Sequence, residues 1–316
     1  MISCTEFIPA YSELFAYLEE KHGRCEVDRF WEYLFAPTGD GIPLINYVKR
    51  EGIAGCFSYW ASTLNEEAAD FTMMLNEQAG WFKIKMHRCP SKGRLLALKD
   101  EIGITPYHDY CLHCDSYRAA VAKIGLDYVY DFDGVDHAAC SILITDPKVF
   151  DGRVIVDENT RVMDRRAADN EYFHPDFHSS MNMGIHYLGE KYGPDAVTEY
   201  LTRYTKNVYG KTLAAIKEKG LSAIKEKILD TYAREKAEDA LTLTRKEDRL
   251  CVSVSYCPAV KHLKQTGRQV SPWYHYTTEV VMGMLAEAAG AEFAMEAYDE
   301  ETGSARYSFF KREVLQ

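Results

Sequence analysis

The chain has 316 residues, 47% of them apolar, enough for one large or two ordinary globular domains with a substantial core. Forty-eight acids against 37 bases give a net charge of −11 with no lysine/arginine block, a balance that excludes a phosphate-backbone partner. No long apolar window occurs and the start MISCTEFIPA lacks a basic stretch followed by an apolar one, so no membrane partner and a cytoplasmic location are expected.

Phe7, Tyr11, Leu14, Phe15 and Leu18 recur at helical spacing, which predicts a helix over 5–22 capped by Gly23. A second helix is predicted over 28–35, stopped by Pro37, Gly39 and Gly41, with one or two more from Leu44 to Leu64 around Gly52. The period then shortens. Residues 71–75 and 81–89 alternate at strand spacing about Gly80, predicting an antiparallel pair that ends at Cys89-Pro90. A short helix follows, then one from about Asp109 to Ile124 behind Pro106. Strands at 126–132 and 138–144 are joined by the turn DGVD.

The same order of elements recurs. Residues 47–90 laid on 215–258 without gaps give eight identities in 44, including Gly52 with Gly220 and Cys89-Pro90 with Cys257-Pro258. This predicts an α+β fold of two pseudo-symmetric repeated halves, each a helical layer followed by a small antiparallel sheet with a crossing helix. The expected division is 1–146 for the first half, 147–175 for a turn-rich linker, and 176–316 for the second half.

Chemistry is concentrated between His87 and Cys140, which hold four of the nine cysteines and four of the ten histidines. Cys111 is predicted at a helix N-terminus, where unpaired N–H groups and the dipole favour a thiolate. Asp115 lies one α-helical turn on, and His108 and His87 are candidate proton carriers. Cys111 and Cys114 also form a C-x-x-C pair that Cys89, Cys140, His87 and His108 could complete as a zinc site. Cys89 has an echo in Cys257, whereas Cys111, Cys114 and Asp115 align with Thr277, Val280 and Val281, so Cys89 reads as scaffold. In the second half, Trp273, Tyr274 and His275 match the sequence around Tyr107 and are candidate substrate contacts, or aromatic packing. His174, His178 and His186 lack metal-ligand spacing and read as core or surface residues.

With Cys89-Pro90, the Cys111-x-x-x-Asp115 helix start and the Gly134–Cys140 strand pair in place, the chain resembles the L-2-amino-thiazoline-4-carboxylic acid hydrolase family. The second half resembles the pattern more weakly through Cys257-Pro258 and Gly303–Phe309. The resemblance implies a hydrolase of carbon–nitrogen bonds other than peptide bonds, opening a small cyclic amidine or amide. A more distant likeness is to the 4-vinyl reductase domain, a small-molecule-binding module.

The leading expectation is a cofactor-free hydrolase acting on a small molecule, as a monomer or homo-oligomer. Cys111 is its nucleophile, His108 or His87 moves the proton and Asp115 orients. Cys114, Cys140, Tyr107, Trp273, Tyr274 and His275 line the substrate. The alternatives are a zinc hydrolase with Cys89, Cys111, Cys114 and Cys140 as ligands, and a non-catalytic module for an apolar or tetrapyrrole ligand.

Overall fold

The computed structural model describes residues 1–35, 42–246 and 248–311. Phe7, Tyr11, Leu14, Phe15 and Leu18 are all buried along α1 (Phe7–His22), which ends where Gly23 turns to φ +85°. α2 (Arg24–Phe35) starts earlier than the periodicity predicts because Val27, Phe30 and Trp31 already form its buried side. The stop at Pro37, Gly39 and Gly41 lies outside the described residues. α3 (Pro43–Glu51) and α4 (Ala54–Glu66) flank Gly52, itself at φ +61°.

β1 (Asp70–Asn76) and β2 (Trp81–Arg88) form the expected antiparallel pair, with Asn76 opposite Trp81. α5 (Pro90–Ile102) follows Cys89. The predicted helix from Asp109 is instead a 3₁₀ segment, Tyr110–Ser116, continued by the six-residue α6 (Tyr117–Ala122). Tighter winding brings residues three apart into register, and Tyr110, 1% exposed, meets the His113 ring at 4.8 Å. β3 (Asp127–Asp131) and β4 (Cys140–Thr145) close the arrangement.

The stretch expected to be a linker contributes a strand of its own. β5 (Arg161–Arg165) pairs with β1 and supplies the partner its open edge would otherwise lack, giving the order β3-β4-β2-β1-β5. Residues 18–101 and 105–174 make one compact unit; residues 1–17, 102–104 and 175–316 make the other. The compact units therefore differ from the contiguous division 1–146, 147–175 and 176–316.

The second unit carries α7 (Phe177–Tyr192), α8 (Pro194–Val208), α9 (Gly210–Lys219) and α10 (Leu221–Arg234). β6 (Leu241–Arg245), β7 (Arg249–Val254), α11 (Pro258–Gln265), α12 (Tyr276–Ala288), β8 (Ala291–Tyr298) and β9 (Ala305–Lys311) follow. Its sheet runs β6-β7-β9-β8, and the first sheet without β5 runs β1-β2-β4-β3, the same connectivity. α4 and α10 also end alike. Glu67 and Glu235 are their C-caps, each followed by a residue forced into the left-handed region, Ala68 at φ +51° and Lys236 at φ +54°. No described helix is long and apolar enough to cross a membrane.

Gly189 in α7 shows how tightly this unit packs, since an added Cβ would lie 2.3 Å from the ring of Trp273. Alanine gains about 1 kcal/mol of helix propensity over glycine, but overpacking costs about 1–3 kcal/mol. Gly189→Ala is expected to lower the urea midpoint; an unchanged midpoint would mean that Trp273 repacks freely.

Candidate functional site

The four clustered thiols of the first unit are held by three local structures. Cys89 joins β2 to α5; its N–H donates to Ala138 O (2.6 Å) and its carbonyl accepts from Gly93 N–H (2.8 Å). Cys140 begins β4 directly opposite Met86, so it shares the core-facing side of the sheet. Cys111 and Cys114 lie three apart on the 3₁₀ segment and therefore share a face, from which Asp115 is rotated away. That rotation undoes the pairing of Cys111 with Asp115 that α-helical spacing predicts.

Asp115 is instead paired with Arg118 at 2.7 Å, and Arg118 Nη1 donates to Tyr128 O at 2.6 Å. His87 stands on the opposite face of β2 from Met86, as strand alternation requires, and its Nε2 hydrogen-bonds Thr72 Oγ1 at 2.8 Å. Thr72 in turn donates to Asp164. His108 is 66% exposed, with Nε2 3.6 Å from Asp109 and 3.8 Å from Glu19. Each of the three expected helpers thus makes these contacts with residues other than Cys111. Tyr107 is buried beside Glu19 and Arg24; burial and its hydrogen bond to Glu19 raise its phenol.

The side chain that does act on Cys111 is Lys92, 8% exposed in the first turn of α5. The sequence carries a signal for it: a cation near a helix N-terminus opposes the dipole, so a buried lysine there calls for a local reason. Burial pushes the Cys111 thiol up to about 11, Lys92 pulls it down, and Cys140 and Asp136 push it up. The expected low-pKa thiolate is not there, because burial outweighs the pull of Lys92. Burial also raises Cys89 to about 12, although the Lys92 backbone amide favours its ionised form. Cys114 and Cys140 are raised by burial as well; Cys114 senses the other three thiols and Glu67, and the Tyr130 hydroxyl opposes the rise at Cys140. The four sulfurs thus form one electrostatic neighbourhood. They do not form a closed ligand cage: among the described residues, the group of three metal-competent side chains within 4.8 Å of one another is Cys4, His178 and Glu235.

The remaining candidates belong to the other unit. Trp273 packs its ring over Gly189 and lies 5.8 Å from the His186 ring. Tyr274 and His275 line a small cleft of about 10 Å³ with Met1, Cys257, Tyr298 and Tyr307. In this unit His178 pairs with Glu235 at 2.8 Å with both side chains 2% exposed, whereas His174, in the first unit, meets Glu66 through Nδ1 at 2.6 Å. The sequence reading missed Lys92, Glu67 and Glu235, though Glu67 and Glu235 were one of the eight aligned identities.

No family model, curated protein or solved structure matches the chain.

The Asp115–Arg118 pair is half-exposed, and such pairs contribute about 0–1 kcal/mol. Asp115→Asn is expected to leave both stability and any turnover close to wild type. A severe loss of turnover would return Asp115 to the reacting atoms.

Proposed function

We propose that the first unit is a cysteine-dependent hydrolase that opens a small cyclic amidine or amide of the thiazoline-carboxylate kind. The observation that carries this reading is Cys111 itself, a partly exposed thiol on which the buried Lys92 acts. The resemblance carried by Cys89-Pro90, Cys111, Asp115 and Gly134–Cys140 supplies the substrate class. As the Cys111 sulfur adds to the amidine carbon, its proton passes to a ring nitrogen, and Lys92 offsets charge developing on sulfur. The bond from that carbon to a ring heteroatom breaks with its electron pair on the heteroatom, which takes up a proton. Water then adds to the carbon, and Cys111 leaves as the thiol. His108, His87 and Asp115 have no step in this scheme. We place the reaction in a reducing cytoplasm, in keeping with nine cysteines unlinked by disulfides.

The test is ring opening of 2-aminothiazoline-4-carboxylate and related cyclic amidines by purified protein, followed as released thiol. Turnover by wild type and none by folded Cys111→Ala supports the reading. Full activity in Cys111→Ala sinks it.

A second reading uses the same thiols as zinc ligands, and their shared electrostatic neighbourhood favours it. It requires them to draw together on metal, and zinc content that falls in Cys114→Ser would distinguish it.

A further inference from the structure

The second unit holds a buried polar cluster that the proposed hydrolase chemistry leaves unused. Cys4 lies in a 3₁₀ turn at Cys4–Glu6, His178 in the first turn of α7, and Glu235 at the C-cap of α10. They are 1%, 2% and 5% exposed, and their ligand atoms all lie within 4.8 Å of one another. Glu235 Oε1 accepts from Ser3 Oγ (2.7 Å) and Cys4 N–H (2.6 Å), while Oε2 shares a hydrogen bond with His178 Nε2 (2.8 Å). The carboxylate is thus fixed by donors behind it while one oxygen faces the imidazole.

We propose that Cys4, His178 and Glu235 bind a divalent transition metal of the zinc type, with Ser3 orienting the carboxylate. A thiolate, an imidazole and a carboxylate together suit borderline ions such as Zn²⁺ or Co²⁺. Bonds of about 2.0–2.3 Å place ligand atoms roughly 3–4 Å apart, so side-chain shifts within the existing cluster suffice. Ligation by the thiolate releases the Cys4 thiol proton to solvent, so binding is coupled to that proton. This site is independent of Cys111.

The test is anaerobic titration of the full-length, chelator-treated protein with Co²⁺. One equivalent is expected to give a thiolate-to-cobalt charge-transfer band, absent in Cys4→Ser and Cys4→Ala. Ser3→Ala should weaken binding by about 10–100-fold, the usual cost of losing an orienting partner, and His178→Gln by more. Because the first unit carries other thiols, the titration is repeated in Cys111→Ser/Cys114→Ser, where the band should persist. No band in wild type, a band that survives both Cys4 substitutions, or one lost in the Cys111/Cys114 variant overturns the proposal. Should either Cys4 variant fail to fold, Ser3→Ala and His178→Gln decide: unchanged affinity in both also overturns it.

Discussion

Glu235→Leu is expected to destabilise the metal-free protein by about 3–5 kcal/mol, the range for removing one partner of a buried pair. The carboxylate is the shared acceptor for three donors: the Ser3 hydroxyl, the Cys4 amide and the His178 imidazole. All three residues are buried, and each donor left without an acceptor costs about 1–3 kcal/mol. Burial by itself would raise the Glu235 carboxyl; the bond and charge of His178, then Ser3 and Cys4, reverse that and hold it at about 2. The donors therefore outweigh desolvation. The cost is limited at one end, because Leu is close to Glu in volume. Consequently His178→Leu/Glu235→Leu should cost less than the sum of the single changes, since the double variant buries no orphaned partner of the pair. Urea unfolding after chelator treatment measures all three variants. A single-variant cost under about 1 kcal/mol would mean that water reaches the cluster.

Sequence periodicity located the elements that bury one clear face, such as α1 through Phe7, Tyr11, Leu14, Phe15 and Leu18, and the β1/β2 pair. It missed β5 because in Arg161–Arg165 only Met163 is even partly buried, which leaves no alternation to read. The thiol cluster was legible as a crowded window of sequence, and the sheet and the 3₁₀ segment do gather its four cysteines. The helpers assigned to Cys111 were not. His87 could have been set aside from sequence, since it adjoins Met86 in a strand and must face the other way. Asp115 could not, because spacing alone does not distinguish α from 3₁₀ winding over residues 110–116. Cys4, His178 and Glu235 have no diagnostic spacing, coming from three distant segments whose meeting is a property of the packed unit.

Cys111→Ala is expected to lower turnover on the order of 10⁴–10⁶-fold, as loss of a nucleophile does in enzymes whose catalytic groups act as a unit. Lys92→Met should lose about 10²–10³-fold, the cost of removing one stabiliser of developing charge, with Lys92→Arg recovering part of it. The pH dependence separates the two roles. A thiol at about 11 is ionised to about one part in 10³ at pH 8, so alkylation of Cys111 should be slow there and rise with pH towards 11. The exposed Cys25 and Cys251 should react first. Removing Lys92 takes away the group that lowers Cys111, so in Lys92→Met the thiol rises further and its alkylation profile moves to higher pH. Each unit of that move is a tenfold drop in thiolate at fixed pH, about 1.4 kcal/mol. Peptide-resolved iodoacetamide labelling from pH 7 to 11 measures it without any substrate. A Cys111 profile that does not move in Lys92→Met removes Lys92 from the mechanism. One that already levels off near pH 7 in wild type would place a stronger cation beside the sulfur than Lys92 alone.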